Sequence, residues 1–168
     1  MRKKKLLIFV SAQIAHTRKT RTMIMRRFTV ATLVLLPALA CGDSTGILPE
    51  ELAGTWTATE FVFTNQANLS QSVDWVPLGA SFTLTIRADS TFTATLREPD
   101  GTVDTDTGTV SVVGDVLTIA RSGQGSPTPF TAVRDGDILT LTTTEEDFDF
   151  DGDGTDEPAS LRIVLGRS

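Results

Sequence analysis

Tyrosine is absent from these 168 residues, and histidine and cysteine occur once each. Lysine is confined to Lys3, Lys4, Lys5 and Lys19, and the one histidine, His16, lies in the same stretch. Beyond residue 40 the chain therefore has no imidazole and no side-chain amine, and its only thiol is Cys41. Cys–His and Ser–His–Asp nucleophilic sites and Schiff-base chemistry each lack a member there. A carboxylate pair could in principle support glycoside hydrolysis, but the acidic residues fall mostly in turns and nothing marks a pair. No enzymatic activity is expected, and no redox or nucleotide cofactor. Long apolar runs are missing too. The longest candidate, residues 28–36, is far short of the roughly 20 residues that span a bilayer.

What is present is a sharp division of charge. Residues 1–40 hold nine of the 15 basic residues and none of the 21 acidic ones. Arg26 and Arg27 precede the apolar stretch 28–36, which leads to Ala38, Ala40 and Cys41. A positive start, a short apolar core and a small-residue cleavage site make an export signal. The segment Ala38-Leu39-Ala40-Cys41 resembles the lipobox of bacterial lipoproteins, with Ala38 where that family prefers leucine. The resemblance implies that the Cys41 thiol is acylated, that residues 1–40 are removed, and that the chain is anchored to the lipid bilayer of the cell envelope, at the outer membrane or facing the periplasm. The alternative is an ordinary signal peptide cut after Ala38 or Ala40. Residues 1–22 lie upstream of Met23 and Met25, and a start at Met25 would leave a compact signal. They read as a misassigned start or an overlong positive region.

Past residue 40, six arginines face 21 carboxylates, a net charge of −15 over 128 residues. Such a chain repels nucleic-acid phosphates and attracts cations. Its length suits one domain. Residues 41–50 read as a lipidated tether and 51–168 as the domain.

The domain alternates with period two. Phe82, Leu84 and Ile86 interleave with Thr83 and Thr85; Phe92, Ala94 and Leu96 interleave with Thr91, Thr93 and Thr95. This is the pattern of half-buried strands, and threonine, being β-branched, favours them. Turns at 88–90, 98–101, 114–115 and 135–137 divide the chain. The reading is all-β, with strands near 55–64, 80–88, 91–98, 105–113, 116–121, 129–134, 137–146 and 159–166. About eight antiparallel strands in sequence suggest an up-and-down meander that closes into a barrel and so removes its edges. A β-sandwich is the alternative.

Leu52-Ala53-Gly54-Thr55-Trp56 at the start of the first strand resembles the Gly-x-Trp opening of lipocalin-like proteins. The 82–93 hairpin and the two Gly-Asp-x-Leu-Thr turns (114–118 and 136–140) are similar to those of small bacterial lipocalin-like lipoproteins. The resemblance implies structural roles for Gly54 and Trp56, with the tryptophan packed across the closed end of a barrel under an arginine of the last strand, for which Arg162 is the candidate. It also implies a small apolar ligand inside the barrel. Trp75 and Leu78, in the long 64–79 connection, would then form a lid over it, with Phe82 and Phe92 as further contacts. The competing reading has Trp75 and Leu78 plugging a filled barrel.

One segment points to a metal. Asp149, Asp151 and Asp153 alternate ahead of Gly154, followed by Asp156 and Glu157. Ca²⁺ takes several oxygen ligands, and alternating aspartates on a glycine-turned loop supply them. The spacing resembles EF-hand-type and thrombospondin-type calcium loops, although Ser160 stands where an EF-hand has its bidentate glutamate and no flanking helices are expected. The alternative is a solvated acidic hairpin loop. A calcium-stabilised structural or interaction module with a filled core is accordingly the second functional reading.

Overall fold

The computed structural model describes residue 47, residues 49–123 and residues 125–168. A one-turn helix α1 (Pro49–Leu52) precedes nine strands: β1 (Gly54–Asn65), β2 (Ser72–Asp74), β3 (Ser81–Ile86), β4 (Thr91–Arg97), β5 (Val103–Val113), β6 (Val116–Arg121), β7 (Thr128–Asp135), β8 (Ile138–Phe148) and β9 (Glu157–Arg167). From β3 to β9 each strand pairs antiparallel with the next. The last then pairs with β1, from Trp56↔Arg167 to Asn65↔Ala159, and closes the sheet. The expected meander barrel is therefore present, and the closing β1–β9 ladder rules out a sandwich.

The extra strand is β2. It pairs only with Val62–Thr64 of β1, whereas β3 pairs with Gly54–Thr57 along the same edge. Together β2 and β3 act as one long strand interrupted by residues 75–80. The long connection is thus absorbed into the wall only at Ser72–Asp74.

Alternation sorts the side chains. Trp56, Phe61, Phe63, Leu84, Phe92, Leu117, Phe130, Leu139, Leu141, Leu161 and Leu165 are buried in one cluster. Threonines occupy the opposite face, as in the facing pairs Thr85↔Thr93 and Thr93↔Thr107. Each large apolar side chain taken from water contributes about 1.5–3 kcal/mol. Two register shifts, at Ala58/Glu60 and at Thr143/Glu146, bend β1 and β8, as bulges do where a barrel turns a corner.

The folded body begins earlier than the expected tether allows. The Ile47 amide donates to Gly114 O at 3.2 Å. Glu50 and Glu51 sit in the first turn of α1, where carboxylates favour the helix dipole. Leu52 closes the turn with no exposed surface. Cys41 and the rest of residues 1–46, which carry the signal, start-site and lipidation readings, lie outside the described residues.

The strand directions give the barrel two unlike ends. One holds α1 and the short turns 87–90, 114–115 and 136–137. The other holds the connections 66–71, 98–102, 122–127 and 149–156, while 75–80 leaves the wall partway along β1.

Candidate functional site

The α1 end is sealed. Trp56 is fully buried, and its Nε1 donates to Leu52 O at 2.9 Å. The Arg167 guanidinium lies 4.7 Å from the centroid of the Trp56 ring, within range of a cation–π contact. Arg167 Nη2 also donates to Glu51 O at 2.7 Å and Ala53 O at 3.2 Å, which ties β9 to α1. Gly54 has φ 146°, and a Cβ there would lie 3.7 Å from the same guanidinium. The structural roles expected of Gly54 and Trp56 fit this cap, but the covering arginine is Arg167. Arg162 pairs with Glu60 on the outer surface, five residues along β9 and on the opposite face of the strand.

The loop end carries an aromatic wall. Trp75 stacks on Phe61 at 5.9 Å and meets Phe63 at 5.1 Å. Phe63 stacks on Phe148 at 4.6 Å, Phe148 meets Phe150 at 4.7 Å, and Phe82 meets Phe61 at 5.5 Å. Asp74 holds the indole in place: its Oδ1 accepts from the amides of Phe61 and Val76, both at 3.1 Å. Trp75 is buried and Leu78 is 58% exposed, so the two do not form a common apolar lid. Trp75 fills the wall while Leu78 faces solvent. Phe92 is also core: it pairs with Ile86, which pairs with Gly54, placing it toward the sealed end and away from Phe82. Phe82, Phe148 and Phe150 are the half-buried aromatics of this wall.

Next to it lie charged side chains from β5, β6 and β8. Arg121 shares strand parity with the buried Leu117 and Ile119, and its side chain is only 9% exposed. Its Nη1 donates to Asp106 Oδ2 at 3.2 Å. Burial draws the Arg121 guanidinium below its ordinary pKa, and the Asp106 and Glu146 carboxylates oppose that shift. Glu146 is itself buried, with Thr128 and Thr143 as further buried polar residues. Asp104 and Asp106 share the parity of the buried Val110. Outside this charged group, where β7 has left β8, a cleft of about 230 Å³ is lined by Val116, Pro129, Phe130, Thr131 and Thr142–Glu145.

The acidic loop lies beside the aromatic wall. The carboxylates of Asp149, Asp151 and Asp153 come within 4.8 Å of one another. Asp149 accepts from the amides of Gly152 at 2.7 Å and Gly154 at 2.9 Å, and Asp153 accepts from Thr155 N at 2.6 Å. Glu157 is outside this group and accepts instead from Phe150 N at 2.9 Å. Asp156 is exposed and also outside it.

No family model matches this chain, and no curated protein matches it either.

Sequence patterning missed Arg121, Asp106, Glu146 and Arg167. The signal was available: Arg121 and Arg167 both fall on the inward parity of their strands, where a charged residue stands out. Phe61 and Phe63 were visible as strand residues, whereas Phe148 lay past the expected strand end at 146 and belongs to β8; none of the three was visible as one surface with Trp75.

Proposed function

We propose that this chain is an exported, lipid-anchored, lipocalin-like barrel that binds a small apolar molecule at its loop end and does not transform it. The observation that carries the reading is the inequality of the two ends. One is capped by Leu52, Trp56 and Arg167, while the other presents the half-buried rings of Phe82, Phe148 and Phe150. Apolar surfaces with a few convergent polar groups are where small ligands bind. The lack of histidine, lysine and tyrosine beyond residue 40 supports binding over catalysis. The test is titration with the neutral fluorophore N-phenyl-1-naphthylamine. Saturable fluorescence at one probe per chain is expected, weakened about tenfold or more by Phe82→Ala through lost aromatic contact. Absence of saturable fluorescence up to the probe's solubility would sink the reading.

The anchor rests on residues 26–41. Cys41→Ser should move the protein from the membrane fraction to the soluble fraction of its host; continued membrane retention would count against acylation.

A second reading is favoured by the convergence of Asp149, Asp151 and Asp153. In it Ca²⁺ sits among these carboxylates and holds the β8–β9 connection against the aromatic wall, stabilising a filled module of the cell envelope. Extracellular calcium modules bind at about 10⁻⁴–10⁻³ M. Millimolar CaCl₂ should therefore raise the melting midpoint by several degrees in the parent and not in Asp151→Ala. An unchanged parent midpoint removes the metal.

A further inference from the structure

The two walls of the loop end differ in charge as well as polarity. Segments 98–106 and 145–157 hold 12 acidic residues and no basic one. Within the barrel mouth the acidic and aromatic surfaces meet at two seams. Across β3, β4 and β5 the register runs Phe82↔Leu96↔Asp104, so a single leucine separates ring from carboxylate. Along β8, Glu146 and Phe148 are successive inward-facing residues.

Arg121 does not neutralise this wall. It is one cation among Asp106, Glu146 and Asp104, and it is already bonded to Asp106. The sealed end is different: Arg134 pairs with Glu51 there, and Arg167 covers Trp56. The excess of negative charge is thus concentrated at the one end that presents apolar rings. A mouth with an excess of one sign of charge between low-dielectric walls focuses its field on an entering ion. Aromatic faces also attract cations and have no such attraction for anions.

We propose that the ligand of the loop end is an amphipathic organic cation, an amine or quaternary ammonium with an apolar or aromatic body. Its charge lies against Asp104 and Asp106, and its body lies on Phe82, Phe148 and Phe150. This rests on the binding-barrel reading and adds the ligand class. The state of Glu98 agrees with it: burial first, then Asp100 and Asp104, hold its carboxyl above the ordinary value, as expected where negative charge is crowded.

The test is competition against bound N-phenyl-1-naphthylamine on the full chain at low ionic strength. The competitors are decyltrimethylammonium and decyl sulfate, each below its micelle concentration. The ammonium should displace the probe about tenfold more tightly than the sulfate, and Asp104→Asn should cut that preference to about threefold or less. Asp135→Asn/Asp137→Asn, which removes two charges at the sealed end, should keep the full preference. Equal displacement by the two surfactants, a preference that survives Asp104→Asn, or one lost in the sealed-end variant overturns the inference while leaving apolar binding in place. Failure of the probe itself to bind removes the underlying reading instead.

Discussion

At Gly108 the backbone of β6 leaves β5 no room for a side chain. This glycine faces Arg121 across β6 and Phe92 across β4. A Cβ at this position would lie 2.0 Å from Ala120 O and 2.9 Å from both Arg121 Cα and Phe92 Cε1. The first two are backbone atoms, so the strand itself would have to move. Gly108→Ala should destabilise the barrel by about 1–3 kcal/mol, the usual cost of forcing atoms into a packed core. Urea unfolding would show a lower midpoint at unchanged slope. Gly166→Ala is the matched control, since nothing lies within 4 Å of its added methyl, and it should stay within about 0.5 kcal/mol of the parent. Equal midpoints for the two variants would refute the close-approach argument. The same glycine lets Arg121 and Phe92 share the interior, linking the charged wall to the apolar core.

At the scale of elements, the barrel strands were legible because threonine alternates with apolar residues along them, and alternation is a local property. The strands read near 91–98 and 116–121 coincide closely with β4 and β6. β2 escaped because three residues cannot show a period and the surrounding 66–80 segment has none. Its position is set by the hairpin pairing to Val62–Thr64 and by Asp74 bonding back to Phe61. The arginine assignment failed for a related reason. Parity says which face a residue takes, but register says which neighbour it meets. Arg162 has outward parity and could not reach an inward tryptophan, whereas Arg167 continues the inward set Leu161, Ile163 and Leu165 beyond the barrel floor and turns under Trp56. The convergence of Asp149, Asp151 and Asp153 was legible, because the turns that bring them together depend on bonds within the loop, whereas Asp156 and Glu157 stand apart from it and Glu157 bonds back to Phe150. The aromatic wall was not, because it joins side chains from β1, the 75–80 excursion, β3 and β8.

For the whole molecule the governing quantity is a net charge of −15 beyond residue 40, against −6 for the entire chain. Much of it crowds one end, so part of the folding free energy goes to holding like charges together. Glu98 reports this: burial, Asp100 and Asp104 raise its pKa in the folded state. The folded protein therefore binds a proton at Glu98 more readily than the unfolded chain does. Any stability tied to that proton is fully present below the unfolded value of 4.5 and is lost as pH rises through the folded value. Above that range ionised Glu98 opposes folding. Glu98→Gln should thus stabilise the protein at pH 7, and the advantage should disappear toward pH 4. Glu98 is half-buried, and solvent screening keeps the gain under about 1 kcal/mol. Salt should produce the same effect without mutation, since the Debye length falls to about 3 Å at 1 M and weakens repulsion across the acidic end. Melting curves of parent and variant at pH 4 and pH 7, in low and high NaCl, separate the contributions. A gain from Glu98→Gln that is as large at pH 4 as at pH 7 would mean that the substitution acts through packing, and the crowded-charge account of the loop end would fail with it.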